Sequence, residues 1–241
     1  MGTPRRIWNG VSTVSKDHPM AAFPYPNITD WRVWYEDFGM YDIAQTDTPT
    51  WTLTVSGTAP DTIPTPGSLL FTITGASDDA QLQLDHGHFF ITAGKKAIFE
   101  TKIKVTKASG GTIGQEGWVV GLTEVATGAN FMSGPPPLAL AFADGWGFLS
   151  YDATTTFQTF QGEDDEFTYN TSAGTYVDDT WMTLSIYWDG TKSTFYKNGT
   201  SLGTLTLTPP TSVIAPVVFF GAGEAKADKF YCEYMFFANE R

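Results

Sequence analysis

The stretch from Thr180 to Thr208 constrains the fold most, because it predicts three antiparallel strands joined by two tight turns. Apolar residues occupy every second position from Met182 to Trp188, which is the period of a strand with one buried face. Asp189-Gly190 and Asn198-Gly199 tolerate positive φ, as two-residue hairpin turns require. We therefore predict an antiparallel meander with strands over residues 182–188, 191–197 and 201–208.

The rest of the chain predicts the same kind of structure. Its 241 residues include 24 Gly, 14 Pro and many Thr, a composition that favours short strands and turns over helices. From Ala97 to Val105, Phe99 and Ile103 alternate with Lys102 and Lys104, which predicts a strand with one buried and one solvated face. We count a dozen or more such strands and predict a two-sheet antiparallel β-sandwich, with residues 35–241 forming a single domain.

Residues 1–34 differ from the remainder in charge and pattern. They carry four basic and two acidic residues, whereas residues 35–241 carry 10 basic and 24 acidic residues. Three prolines between His18 and Asn27 favour extended chain. We predict an extended N-terminal arm that either docks on another subunit or packs against its own domain. Its anchors would be aromatic and cationic side chains, namely Arg5, Arg6, Trp8, Phe23 and Tyr25.

Charge and hydropathy exclude several classes of partner. The net charge of −12 makes nucleic acid an improbable partner, because phosphate binding needs clustered Lys and Arg. No apolar run is long enough to cross a bilayer, and the N-terminus lacks the apolar region of a secretory signal, so we expect no membrane association. Cys232 is the single cysteine, which rules out an intrachain disulfide and suggests a buried, inert thiol.

The meander also carries a family resemblance. Concanavalin A-like and laminin G-like jelly rolls often contain a hairpin with the pattern W-x-x-L-x-[IV]-x-[WY]-D-G, followed by an aromatic pair, N-G and L-G. The segment from Trp181 to Gly203 is similar to that pattern, and "GWGFLSYD" and "KFYCEYMFFANE" resemble a central and a closing strand of such folds. The resemblance implies a jelly-roll sandwich, but this fold hosts lectins, glucanases, lyases, adhesion modules and virion proteins.

The whole chain, with its arm, also resembles bacteriophage structural proteins. This resemblance implies a non-enzymatic capsid decoration (cement) protein, or a tail protein, assembled in the host cytoplasm and displayed on the virion surface. Its partners would be the major capsid protein or neighbouring copies, and such proteins often form homo-oligomers, commonly trimers. The alternative function is a lectin-like carbohydrate- or receptor-binding module of a phage tail or a cell-surface protein.

Few residues fit a catalytic or metal site. Jelly-roll glucanases place two acids on one strand as E-x-D-x-x-E, and this sequence has no such pattern. The acidic segment Glu163–Glu166 has turn composition and is interpreted as a solvated loop, with a cation site as the alternative. His86 and His88 have no third ligand nearby. We expect no catalytic residue, no metal and no cofactor.

Sugar contact remains open at the sequence level. Aromatic rings on an open sheet face can stack on pyranose rings, and four residues are candidates: Trp146, Tyr151, Tyr187 and Tyr231. The alternative is that these rings fill the sandwich or an interface between subunits.

Overall fold

A computed structural model describes most of the chain beyond the N-terminal segment. The described residues are 30–38, 51–57, 61–65, 67–85, 89–114, 116–124, 132–133, 139–140, 142–151, 154–206 and 210–241. The five predicted anchors of the arm lie outside these ranges, as do His86 and His88. The arm therefore stays a prediction.

The described residues form 17 β-strands and no helix, which confirms the all-β prediction. The first nine strands are β1 (Trp31–Glu36), β2 (Trp51–Ser56), β3 (Asp61–Thr65), β4 (Ser68–Ile73), β5 (Asp79–Leu84), β6 (Ala97–Thr106), β7 (Glu116–Thr123), β8 (Met132–Ser133) and β9 (Ala139–Leu140). The remaining strands are β10 (Gly145–Ser150), β11 (Thr156–Glu163), β12 (Glu166–Thr175), β13 (Met182–Trp188), β14 (Ser193–Lys197), β15 (Thr200–Leu205), β16 (Ala215–Ala222) and β17 (Asp228–Glu240). Since no helix is present in these ranges, none could serve as a membrane span.

Two antiparallel sheets make the sandwich. The first sheet has the order β15-β14-β13-β6-β17-β4-β3, and β1 pairs with the last part of β17 beyond the end of β4. The second sheet has the order β12-β11-β10-β7-β16-β5-β2, and β8 pairs with β9 separately. Strands distant in sequence are neighbours in both sheets, as in a jelly roll. The predicted fold class is thus confirmed.

The meander forms as predicted, with two differences in its bounds: the first turn is longer, and the third strand spans Thr200–Leu205 rather than residues 201–208. Asn198 and Gly199 have φ of 49° and 83° and make the tight turn between β14 and β15. The first connection is longer than two residues, because Trp188 pairs with Ser193. The Asp189 carboxylate accepts hydrogen bonds from the backbone amides of residues 191 and 192, which closes a four-residue loop. The second strand therefore begins at Ser193 rather than at residue 191.

The core lies between the two sheets and follows the predicted alternation. On β6, Phe99 and Ile103 are fully buried, whereas Lys102 and Lys104 lie on the outer face. Cys232 is also fully buried, and desolvation raises the pKa of its thiol to about 12, in agreement with an inert role.

The boundary between arm and domain needs adjustment. β1 starts at Trp31 and pairs with β17 through Glu36, so it crosses the predicted boundary between residues 34 and 35. Trp34 faces inward, with its ring centroid 5.9 Å from those of Trp51 and Phe89. Residues 31–34 therefore belong to the first sheet rather than to the arm.

Candidate functional site

The outer face of the first sheet carries a group of rings and charges, here named the aromatic–lysine surface. It is defined by residues of β6, of β17 and of the segment before β13: Lys102, Lys104, Asp179, Trp181, Tyr231 and Glu233. Alternation places Lys102 and Lys104 outward. The register of β17 shifts between Cys232 and Tyr234, and this bulge adds Glu233 to the outer face beside Lys102.

Lysine ammonium groups and aromatic rings contact one another across this surface. The Lys104 Nζ lies 4.4 Å from the Tyr231 ring centroid and 5.4 Å from that of Trp181. The Lys102 Nζ lies 5.0 Å from the Trp181 centroid. The two rings have centroids 6.1 Å apart and an interplanar angle of 63°. These cation–π contacts fix the positions of two half-buried rings.

Each lysine is also paired with a carboxylate. Lys104 Nζ lies 2.6 Å from an Asp179 oxygen, and Lys102 forms an ion pair with Glu233. The hydrogen bond from Lys104 holds the pKa of Asp179 below its usual range. The Asp179 side chain is 65% exposed, so its oxygens remain open to solvent.

This arrangement supplies the two kinds of contact that a polyhydroxylated ligand needs, namely apolar surface for stacking and groups for hydrogen bonding. The rings of Trp181 and Tyr231 offer apolar surface with fixed orientation, and their polar tips can hydrogen-bond. Ammonium groups donate hydrogen bonds and carboxylates accept them, so hydroxyl groups find both kinds of partner beside the rings. The two lysines and two carboxylates balance in charge, which suits a neutral ligand rather than an ionic one.

Trp146 does not belong to any exposed site, which corrects one of the four predicted sugar contacts. Its side chain is fully buried between the sheets, on the same face of β10 as Phe148. Its indole Nε1–H donates a hydrogen bond of 2.9 Å to the Ser193 Oγ on the opposite sheet. The ring fills the sandwich, which is the alternative that the sequence left open.

The three predicted tyrosines are half-buried but do not converge. Tyr151 packs beside an apolar cluster formed by the second sheet, whereas Tyr187 and Tyr231 belong to the outer face of the first. Their partners on β6 are Ile98 and Lys104 respectively, six positions apart, which corresponds to about 20 Å along the strand. The structure thus places Tyr231 alone of the four in the aromatic–lysine surface.

Trp181 is the residue that the sequence reasoning missed. It was recognised as part of the hairpin pattern but was given no role in binding. The sequence contains a pattern that indicates its position. Met182, Leu184 and Ile186 are buried apolar residues of β13, so Trp181, one position before Met182, faces the other side of the sheet.

A second group occupies the other end of the same outer face, here named the closed cluster. It comprises Trp31, Ile98, Glu100, Ser185, Tyr234 and Phe236, all less than 9% exposed. Glu100 accepts hydrogen bonds from the Tyr234 hydroxyl at 2.8 Å and the Ser185 hydroxyl at 3.1 Å. Tyr187 packs against this cluster, and desolvation raises its pKa to about 12. These side chains therefore serve packing rather than contact with a ligand.

The acidic segment Glu163–Glu166 forms the turn of a hairpin. Glu163 pairs with Glu166, and Asp164 and Asp165 have φ of 53° and 67°. Asp164 and Asp165 are exposed, in agreement with a solvated turn. Within the described ranges, no three His, Cys, Asp or Glu side chains are grouped as a metal site.

Comparisons with known proteins support the fold and broaden the functional options. No protein-family model matches the chain, and no curated protein matches its sequence. Solved structures do match. The carbohydrate recognition domain of Emp47p has a TM-score of 0.59 at 13% identity, covering 87% of this chain and 96% of that chain. An endo-1,3-β-glucanase from Streptomyces sioyaensis has a TM-score of 0.58 at 12% identity, covering 90% and 99%. An endo-β-1,3-glucanase from Pyrococcus furiosus has a TM-score of 0.55 at 12% identity, covering 88% and 95%.

At these identities the likeness shows a concanavalin A-like, lectin-like sandwich. It also overturns the expectation that the chain is not an enzyme, because glucanases and carbohydrate recognition domains match it equally well. The fold is therefore compatible with either class. The matched structures do not support a link to bacteriophage or capsid proteins.

Proposed function

We propose that this protein is a lectin-like carbohydrate-binding module and that the aromatic–lysine surface is its glycan-contacting site. The observation that carries the proposal is the pair of half-buried rings, Trp181 and Tyr231, held by two lysines and flanked by two carboxylates on an outer sheet face.

The chemistry of that surface favours a sugar over other small ligands. A pyranose ring has an apolar face that packs on an aromatic ring and an edge of hydroxyl groups that donate and accept hydrogen bonds. Asp179 and Glu233 accept such bonds, and Lys102 donates them. The solved structures that share the fold include a carbohydrate recognition domain and two β-1,3-glucanases, which supports a saccharide as ligand.

A glycan array followed by titration calorimetry tests the proposal. We expect the full chain to bind a subset of neutral glycans, with β-1,3-glucan oligosaccharides as the first to examine. Trp181→Ala should weaken binding about tenfold or more, because one desolvated ring contact is lost. Tyr187→Ala is the matched control, since this tyrosine shares the sheet face but lies about 20 Å away along the strand. Absence of binding across the array would refute the proposal.

The same glucans decide between binding and cleavage. Incubation with a β-1,3-glucan, followed by an assay for new reducing ends, detects hydrolysis directly. Release of reducing ends would place the protein with the glucanases that share its fold, whereas binding without release would place it with the recognition domains.

A virion decoration role is the second proposal, and it depends on the sequence of the arm. Trp8, Phe23 and Tyr25 would bury apolar surface on a shell protein or a neighbouring copy, while Arg5 and Arg6 would pair with acidic groups there. Deletion of residues 1–29, which leaves β1 (Trp31–Glu36) in place, must weaken attachment to particles if this proposal holds. Undiminished attachment would refute it without affecting the glycan site.

A further inference from the structure

Two buried carboxylates lie on the inward faces of opposite sheets at one end of the sandwich. Glu116 is the first residue of β7 in the second sheet, and Asp228 is the first residue of β17 in the first sheet. Trp118 and Phe230 lie two positions further along the same faces, and their rings approach to 6.5 Å between centroids. The alternation of a strand therefore directs Glu116 and Asp228 into the same space.

Glu116 is fully buried and only partly satisfied. Its Oε2 accepts hydrogen bonds from the Gly114 amide at 2.7 Å and the Tyr176 hydroxyl at 3.4 Å. Among the described residues, its Oε1 has no hydrogen-bond partner. A buried carboxylate oxygen without a partner is costly, because it loses its water and gains nothing in return.

Asp228 repeats the pattern on the facing sheet. It is fully buried, and its Oδ1 accepts a hydrogen bond of 2.8 Å from the Ala108 amide. Its Oδ2 has no hydrogen-bond partner in the part of the chain that the structure describes. Burial raises the pKa of both carboxyls, that of Glu116 to about 6, and the charge of Asp228 further opposes ionisation of Glu116.

The surroundings supply further oxygen atoms but no cation to pair with these acids. The Thr154 carbonyl accepts a hydrogen bond of 3.3 Å from the same Tyr176 hydroxyl that contacts Glu116. Neither acid forms an ion pair among the described residues. The positive charge of Lys226 partly offsets the effect of burial on the pKa of Asp228, but its Nζ donates a hydrogen bond of 2.7 Å to the Gly110 carbonyl. Glu224 and Asp178 add negative charge.

We propose that a calcium ion binds between Glu116 and Asp228, with their unpartnered oxygens as its charged ligands. Two carboxylates balance one divalent cation, and Ca²⁺ accepts carboxylate, carbonyl and hydroxyl oxygens in a flexible geometry. The Tyr176 hydroxyl, which contacts Glu116, and the Thr154 carbonyl, which accepts a hydrogen bond from that hydroxyl, are neutral oxygens available nearby. The ion joins the first strand residues of the two sheets and stabilises that end of the sandwich.

Thermal unfolding of the full chain at pH 7, after removal of metal with a chelator, tests this site. Calcium at about 100 times its Kd should raise the Tm by about 5–10 °C. Equimolar Mg²⁺, which demands a smaller octahedral site, and K⁺ at the same ionic strength should raise it less.

Paired variants separate this site from the acidic turn. Glu116→Gln with Asp228→Asn keeps the side-chain shapes and should abolish the calcium-dependent rise in Tm. Asp164→Asn with Asp165→Asn is the matched control, because asparagine tolerates the positive φ at both positions. The control should retain the full rise.

Direct binding provides a readout that does not depend on folding of the variants. Calorimetry of the wild-type chain should give one calcium ion per molecule, and Glu116→Gln alone should reduce the affinity at least tenfold. Bound terbium should be excited through Trp118, whose ring packs 5.8 Å from that of Tyr176. Absence of calcium binding, or a rise in Tm that the paired Glu116 and Asp228 variant retains, would overturn the proposal.

Discussion

The two ends of one sheet face differ although the same strands build them. At one end, Tyr231 of β17 is half-buried, and the ammonium group of Lys104 of β6 lies over its ring. Three residues later on that strand, Tyr234 is 3% exposed, and its hydroxyl group donates a hydrogen bond to the buried Glu100 carboxylate. The β-bulge at Glu233 brings both tyrosines to the same face.

The difference shows that a tyrosine and its charged neighbour serve packing or recognition according to their surroundings. In the closed cluster, the Glu100 carboxylate is satisfied by two hydroxyl donors within the protein. On the aromatic–lysine surface, Asp179 is largely exposed and retains oxygens that can accept bonds from a ligand. The closed cluster therefore contributes to stability, and the aromatic–lysine surface is the end that we propose for ligand binding.

The largest difference in unfolding free energy is expected between alanine variants of Tyr234 and Tyr231. Tyr234→Ala removes a buried ring and leaves Glu100 with one donor fewer, so we expect a loss of about 3 kcal/mol in unfolding free energy. Tyr231→Ala, its matched control, should cost about 1 kcal/mol. Urea unfolding followed by far-UV circular dichroism measures both. Equal losses would show that the two ends do not differ in packing.

The second-largest difference in unfolding free energy is expected between alanine variants of Glu100 and Glu233. Glu100→Ala leaves the Tyr234 and Ser185 hydroxyls without their acceptor, which should cost about 2 kcal/mol. Glu233→Ala removes a partly exposed ion pair and should cost less than about 0.5 kcal/mol. The same unfolding assay applies, and a larger loss for Glu233→Ala would reverse the assignment of the two ends.

Removal of the Lys104 ammonium group is expected to have an intermediate effect on unfolding free energy. Lys104→Met keeps the alkyl chain but removes the ammonium group from both rings and from Asp179, for an expected loss of about 1 kcal/mol. Lys95→Met, at an exposed position, should be neutral within about 0.5 kcal/mol. Similar losses of unfolding free energy for the two variants would mean that the cation–π contacts do not stabilise the aromatic–lysine surface.

The smallest effect concerns the pair between Lys102 and Glu233. A double-mutant cycle with alanine at both positions should give a coupling energy of about 0.2–1 kcal/mol. Because the pair is partly exposed, added salt should reduce the coupling. A coupling that salt does not change would indicate a buried pair.

Much of the fold was predictable because period-two alternation is a local property. The inward positions of β6 and the Asn198-Gly199 turn needed no knowledge of neighbouring strands. Strand order and the bulge at Glu233 depend on pairing between distant segments, and no local pattern contains that information.

The site was less predictable for the same reason. Trp146 and Tyr231 are both aromatic residues on strands, and their fates differ because one faces the opposite sheet and the other faces solvent. Trp181 becomes informative once β6 and β17 bring Lys102 and Tyr231 beside it. Buried carboxylates such as Glu116 and Asp228 could not be paired from the sequence, because 112 positions separate them.

The most direct measurement is the affinity of the double variant Trp181→Ala, Tyr231→Ala for the glycan that the wild-type chain binds. Calorimetry should show a greater loss of affinity than the loss of about tenfold expected for Trp181→Ala alone, while far-UV circular dichroism stays that of the folded sandwich. Because the two rings contact each other, their separate losses are not expected to add. An affinity within twofold of the wild type, in a folded variant, would contradict the account and move the glycan site elsewhere.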